Sequence, residues 1–115
     1  WNGNNLNERE EVYQRFMKRM EPYKGRFALM RDYSDNVADK LLGAWFDVIF
    51  IDGLHEYDQL TKDCANFYSK LKVGGVFAGH DYNAIPGVRK AADEFAAKVG
   101  KQIQITECDV WYWIK

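Results

Sequence analysis

The chain has only two cysteines, Cys64 and Cys108, among 115 residues. With no CxxC spacing, so few argue against a disulfide scaffold and exclude a four-cysteine zinc site. Cys64 falls on an apolar helical stripe and reads as a buried, inert thiol. A reducing cytoplasm is the expected compartment. A surplus of one charge is also missing. The 16 basic and 17 acidic residues leave a net charge of -1, without the basic footprint that nucleic-acid binding needs. No nucleic-acid partner is expected. Long apolar runs are absent too. The densest, Val48-Ile49-Phe50-Ile51, falls far short of the roughly 20 residues that cross a bilayer. There is no signal-peptide pattern, and no membrane partner is expected. Repeats, low-complexity tracts and linkers are lacking, so residues 1–115 read as a single domain. The chain opens on Trp1 rather than Met, so processing or a longer reading frame is expected.

What is present is a globular composition, with 47% apolar, 16% aromatic and 29% charged residues. Residues 7–20 read as a helix, opened by a capping-box-like Asn7 and Glu10 and closed by Pro22 and Gly25. Phe27 to Met30 reads as a short strand. Ser34 is expected to cap a second helix carrying Val37, Ala38, Leu41 and Leu42. Phe46 to Ile51 is nearly continuous apolar, the pattern of a strand buried on both faces. A helix with Tyr57, Leu60, Cys64, Phe67 and Leu71 on one stripe follows, ended by a turn at Gly74-Gly75. Val76 to Ala78 is the next strand, and Gly87 to Val99 the next helix. Ile103 to Thr106 and Val110 to Ile114 read as final strands, with an antiparallel hairpin as one arrangement. The alternation predicts an α/β domain with a mostly parallel sheet.

Ligands of open α/β sheets bind beyond the carboxyl ends of the strands. The residues there are Arg31 to Ser34, then Asp52 to His55, then Gly79 to Tyr82. Asp52, His55, His80 and Asp81 include both histidines of the chain and follow adjacent strands. Carboxylates and an imidazole together can hold a divalent metal. Alternatively, His55 acts as a general base, since imidazole titrates near neutrality. Plainer readings stand beside these. Asp52 caps a helix, the histidines are structural, and Asp32 and Ser34 serve a turn and a helix start. Tyr57, Tyr82 and Trp111 either line an acceptor pocket or pack.

Residues 46–91 resemble the region around the fourth and fifth strands of class I S-adenosylmethionine-dependent methyltransferases. The motifs are Ile51-Asp52-Gly53, His55, Tyr57, Asp63, Leu71, Gly74-Gly75, His80-Asp81-Tyr82 and Gly87-Val88. They are most similar to an IDGxH…HDY subgroup near the metal-dependent O-methyltransferases. The opening Trp-x-Gly resembles the segment after the second strand in some members. The resemblance implies a Rossmann-like methyltransferase sheet, mostly parallel, with a C-terminal antiparallel hairpin. It places a divalent metal, such as Mg, on Asp52, His80 and Asp81, and the catalytic base on His55. The metal lowers the pKa of a substrate hydroxyl, His55 takes its proton, and the oxygen attacks the methyl group in line. Asp32, Tyr33 and Ser34 match the loop bordering the cofactor's adenine, and these three with Asp52 are the expected cofactor-binding residues.

The chain departs from the family in two places. The glycine-rich loop after the first strand and the acidic residue ending the second are absent, and Asn2-Gly3-Asn4-Asn5 follows no strand. This implies a partial methyltransferase domain, its C-terminal portion, lacking the first two strands. Alone it should bind S-adenosylmethionine poorly, so activity of this chain by itself stays open. The strand at Phe27 to Met30 would lose its neighbours, and the edge of Phe46 to Ile51 would invite a second copy. The expected function is methyl transfer to oxygen of a small-molecule acceptor. The alternatives are a non-catalytic module that oligomerises through this edge, and a metal-dependent hydrolase built on the Asp52, His55, His80, Asp81 cluster.

Overall fold

The computed structural model describes residues 5–115, and the Trp-x-Gly and Asn2-Gly3-Asn4 readings lie outside them. The chain forms two compact units, residues 1–31 and 32–115.

In the first unit, α1 spans Leu6–Met20 and runs into a single 3-10 turn at Glu21–Tyr23. Asn5, not Asn7, caps α1, and its Oδ1 accepts from the amides of Asn7 at 3.0 Å and Glu8 at 3.4 Å. Glu10, expected in a capping box, instead accepts from Gln14 and Arg31. These bonds, Gln14 first, hold its carboxyl below the usual range. Residues 27–30 form no strand. A strand needs a partner for its backbone groups, and among the described residues this segment has none. It is held through side chains, with Phe27 edge-on to Phe16 and Arg31 over the Tyr13 ring.

The second unit holds α2 (Ser34–Lys40), β1 (Phe46–Ile51), α3 (Tyr57–Tyr68), β2 (Leu71–Gly79), α4 (Pro86–Lys98), β3 (Gln104–Ile105) and β4 (Trp111–Ile114). The sheet order is β1-β2-β4-β3. β1 and β2 are parallel, while β2-β4 and β4-β3 are antiparallel. The parallel part is therefore one ladder, because the segment at 27–30 adds no strand to it. The C-terminal hairpin forms as expected.

Helices α3 and α4 cover one sheet face. α4 starts with Pro86, which needs no amide partner there. It buries Val88, Ala91, Ala92, Phe95 and Ala96 at helical spacing. They pack with Phe77, Trp111 and Trp113 in one cluster. Phe77 is the hub, 5.0 Å from Tyr68, 5.2 Å from Trp113 and 5.7 Å from Trp111 between ring centroids. Burying each such side chain contributes roughly 1.5–3 kcal/mol.

The expectation that β1 is buried on both faces is corrected. Ile49 and Ile51 pack on the cluster, but Val48 and Phe50 stay 58% and 51% exposed. Successive strand residues point to opposite faces, and α3 and α4 cover only one. Gly74-Gly75 does not end α3. The helix stops at Tyr68, and the glycines lie inside β2. Gly74 has φ of +87°, and a Cβ on Gly75 would come within 2.7 Å of the Asp47 carbonyl oxygen. The pair makes the irregularity that moves the register from Phe46-Leu71 to Val48-Val76.

Candidate active site

The parallel ladder pairs Ile51 with Gly79, so β1 and β2 end at one rim. The His80 amide donates to the Ile51 carbonyl at 3.2 Å, extending the pairing one residue past β2. Asp52 and His80-Asp81 thus emerge side by side. Asp81 has φ of +62°, a conformation uncommon outside glycine.

The four expected residues meet. The His55 Nε2 lies 2.9 Å from Asp81 Oδ2 and 3.3 Å from Asp52 Oδ1. The other Asp81 oxygen, Oδ1, lies 3.0 Å from His80 Nδ1. Asp81 therefore bridges the two histidines. Its side chain is the least exposed of the four, at 21% against 37–50% for the others, so the cluster opens outward around a sheltered carboxylate. One ligand atom each from Asp52, His80 and Asp81 lie within 4.8 Å of one another. Two carboxylates and an imidazole suit a hard or borderline divalent cation.

The residues matched to the adenine loop serve nearer needs. The Asp32 carboxylate accepts from the Tyr33 amide, Asn36 and Lys40. These bonds, the one from Asn36 foremost, hold it below the usual carboxylate range. Tyr33, not Ser34, occupies the cap position of α2. The Ser34 hydroxyl donates to Asp63 Oδ1 at 2.7 Å, because Asp63 is a buried carboxylate on the facing helix. Tyr33 is 79% exposed. A groove of about 440 Å³ follows β1, lined by Val48, Phe50, Asp52, Gly53, Ser34 and Asp63.

Of the aromatics, Tyr82 and Trp111 are buried in the core cluster and Tyr57 packs against it, so packing is their role here. The Tyr82 hydroxyl donates to Asp93. Burial, then this carboxylate, raises its pKa. The Tyr57 hydroxyl donates to Glu94, which is the main cause of its raised pKa.

Sequence reasoning missed the β3-β4 connection, read only as a join. The His80 Nε2 lies 2.9 Å from the Cys108 carbonyl oxygen. Asp109 accepts from the amides of Asn83 at 2.7 Å and Ala84 at 3.1 Å. An acidic residue between two short strands was the available signal.

Comparison with known proteins agrees with this geometry. A family profile described as a methyltransferase domain matches residues 3–82. Curated protein sequences give no significant match. One similar solved structure is the O-methyltransferase NovP, with 30% identity and a TM-score of 0.53. The alignment covers 60% of this chain and 29% of that one, so this chain spans under a third of that relative. With a strand-end cluster on a methyltransferase-like sheet and a family match over most of its length, the chain belongs to the methyltransferase-domain family.

Proposed function

We propose that this chain is the acceptor-activating, C-terminal part of an S-adenosylmethionine-dependent methyltransferase that acts on oxygen of a small molecule. The observation that carries the proposal is His55 held 2.9 Å from Asp81, beside a donor triad for a divalent cation. The similarity to an O-methyltransferase supports oxygen as acceptor.

The Nε2 of His55 faces both carboxylates, so its proton is shared there and Nδ1 is left as the basic atom. An acceptor hydroxyl within hydrogen-bond reach of Nδ1 loses its proton to it. Asp81 fixes the ring and stabilises the imidazolium that forms, the role a carboxylate plays behind a catalytic histidine. A divalent cation such as Mg, held by Asp52, His80 and Asp81, would supply Lewis-acid stabilisation of the acceptor oxygen.

The residues present do not build a complete S-adenosylmethionine site. Asp32 and Ser34 spend their side chains on α2 and Asp63, and the sequence holds no glycine-rich loop. The Tyr33 ring and the Asp52 rim would border only the adenine side. Activation of the acceptor is therefore the part of the reaction these residues perform. Two unpaired thiols favour a reducing cytoplasm, and no described helix is long and apolar enough to cross a membrane.

The test is S-adenosylhomocysteine release with phenol or vicinal-diol acceptors and Mg. It uses this chain joined to the glycine-rich-loop segment of a family member. His55→Ala should lower turnover about 10²- to 10⁴-fold, with cofactor affinity unchanged. Undiminished turnover in His55→Ala would remove the base. A second reading, assembly of two copies along β1, is favoured by its open apolar edge. Light scattering checks it: a dimer supports this reading and a monomer refutes it.

A further inference from the structure

The β3-β4 connection carries an arrangement that the proposed reaction does not use. Among the described residues, two non-glycine residues have positive φ, Asp81 and Asp109, both at +62°. They sit on loops that face each other. A left-handed conformation outside glycine costs free energy and persists where surrounding bonds impose it. Here the bonds are visible. The connection closes on itself through Thr106, whose amide donates to the Val110 carbonyl at 2.9 Å and whose carbonyl accepts from Asp109 at 3.2 Å. The Thr106 hydroxyl accepts from the Val110 amide at 3.2 Å. From this closed turn, Asp109 reaches the amides of Asn83 and Ala84, just past the Asp81 bend. The Cys108 carbonyl reaches His80 Nε2.

A carbonyl oxygen only accepts, so the His80 Nε2 must donate. With that proton fixed on Cys108, Nδ1 is the ring nitrogen left to offer a lone pair to a cation. That atom faces Asp81 Oδ1 at 3.0 Å, so without a cation the two are compatible only when a proton lies between them. A divalent cation would take the place of that proton, with Nδ1 and the carboxylate as ligands. Metal-bound histidines characteristically donate their other ring N–H to a carbonyl or carboxylate, which fixes tautomer and orientation.

We propose that the Thr106–Val110 turn is the positioning device of the cation site. Cys108 sets the His80 tautomer so that Nδ1 is the ligand atom, and Asp109 is the positioning residue that docks the turn on the 80–84 loop. This rests on the divalent-cation reading above. It adds residues from outside the strand-end motifs, and it commits to one nitrogen of His80.

The experiment is performed on the full chain and needs no turnover. Long-range proton–nitrogen correlation spectra of ¹⁵N-histidine-labelled protein report the His80 tautomer, and Mn²⁺ titration by electron paramagnetic resonance reports affinity. Asp109→Gly removes the carboxylate while tolerating positive φ, so folding should survive. With diamagnetic Mg²⁺ bound, wild type is expected in the Nε2–H form. Asp109→Gly should mix the tautomers and weaken Mn²⁺ binding about 10- to 100-fold. Asp109→Asn keeps one acceptor and tolerates the left-handed region, so it should recover most of the affinity. Unchanged tautomer and Mn²⁺ affinity in Asp109→Gly would overturn the clamp while leaving the cation site standing. Absence of Mn²⁺ binding in wild type would overturn the cation reading and the clamp with it.

Discussion

The two faces of the sheet carry similar side chains and meet very different surroundings. On one face Phe77, Trp111 and Trp113 are at most 2% exposed beneath α3 and α4. On the other, Val48, Phe50 and Ile114 are 50–58% exposed. Both faces are apolar, so composition does not separate them; the helices do. The packed face fixes where β1 and β2 end, and so holds the Asp52-His55-Asp81-His80 cluster in place. The exposed face contributes little to that and is available for other contacts. The packed face therefore sets the site's geometry, while the open face, whose Val48 and Phe50 share a groove with Asp52, runs up to its edge.

Mutations should reveal this difference. Phe77→Ala, at the hub of the aromatic cluster, is expected to cost about 3–5 kcal/mol by urea denaturation. Gly79→Ala comes next. Its Cβ would lie 2.3 Å from Trp111 Cζ2, so overpacking of about 1–3 kcal/mol is expected, with displacement of the adjoining His80. Phe50→Lys, on the exposed face, should stay within about 0.5 kcal/mol of wild type. It should also reduce self-association in light scattering, since lysine blunts an open edge. A Phe50→Lys cost as large as that of Phe77→Ala would erase the contrast.

The smallest expected effect concerns the two thiols. Burial, with a smaller push from Asp63, raises Cys64 to about 12, whereas Cys108 is exposed. A thiol reagent at pH 8 should label Cys108 alone in the native protein and both in denaturant. The sign of the linkage follows from the raised value. Keeping Cys64 neutral stabilises the fold fully below about pH 8.5, its ordinary value, and that contribution disappears as pH rises through about 12. The urea midpoint should accordingly fall in that alkaline window.

Much of this was legible in the sequence because local signals and tertiary contacts agreed. Phe46 to Ile51 forms the strand its β-branched and aromatic residues predict, and the α4 stripe of Val88, Ala91, Ala92 and Phe95 is buried as its spacing requires. The four strand-end residues meet because a parallel ladder leaves them no other rim. What was not legible depended on partners. Phe27 to Met30 has a strand's composition but no neighbouring strand among the described residues. Val48 and Phe50 look like core residues but face no helix. Gly74-Gly75 has the chemistry of a turn, yet the backbone of Lys115 pairs with it and keeps it within a strand. Ser34 has the chemistry of a cap, but the buried Asp63 claims its hydroxyl. The Cys108 carbonyl was invisible because a backbone acceptor carries no mark in the sequence.

The most direct measurement is paramagnetic broadening of the two imidazoles by substoichiometric Mn²⁺, read in histidine-labelled protein. Broadening of both His55 and His80, lost together in Asp81→Asn, is the predicted result. Both rings left sharp while the ion broadens signals elsewhere, for instance around Glu10 and Glu11 of α1, would contradict a shared cation site at the ends of β1 and β2.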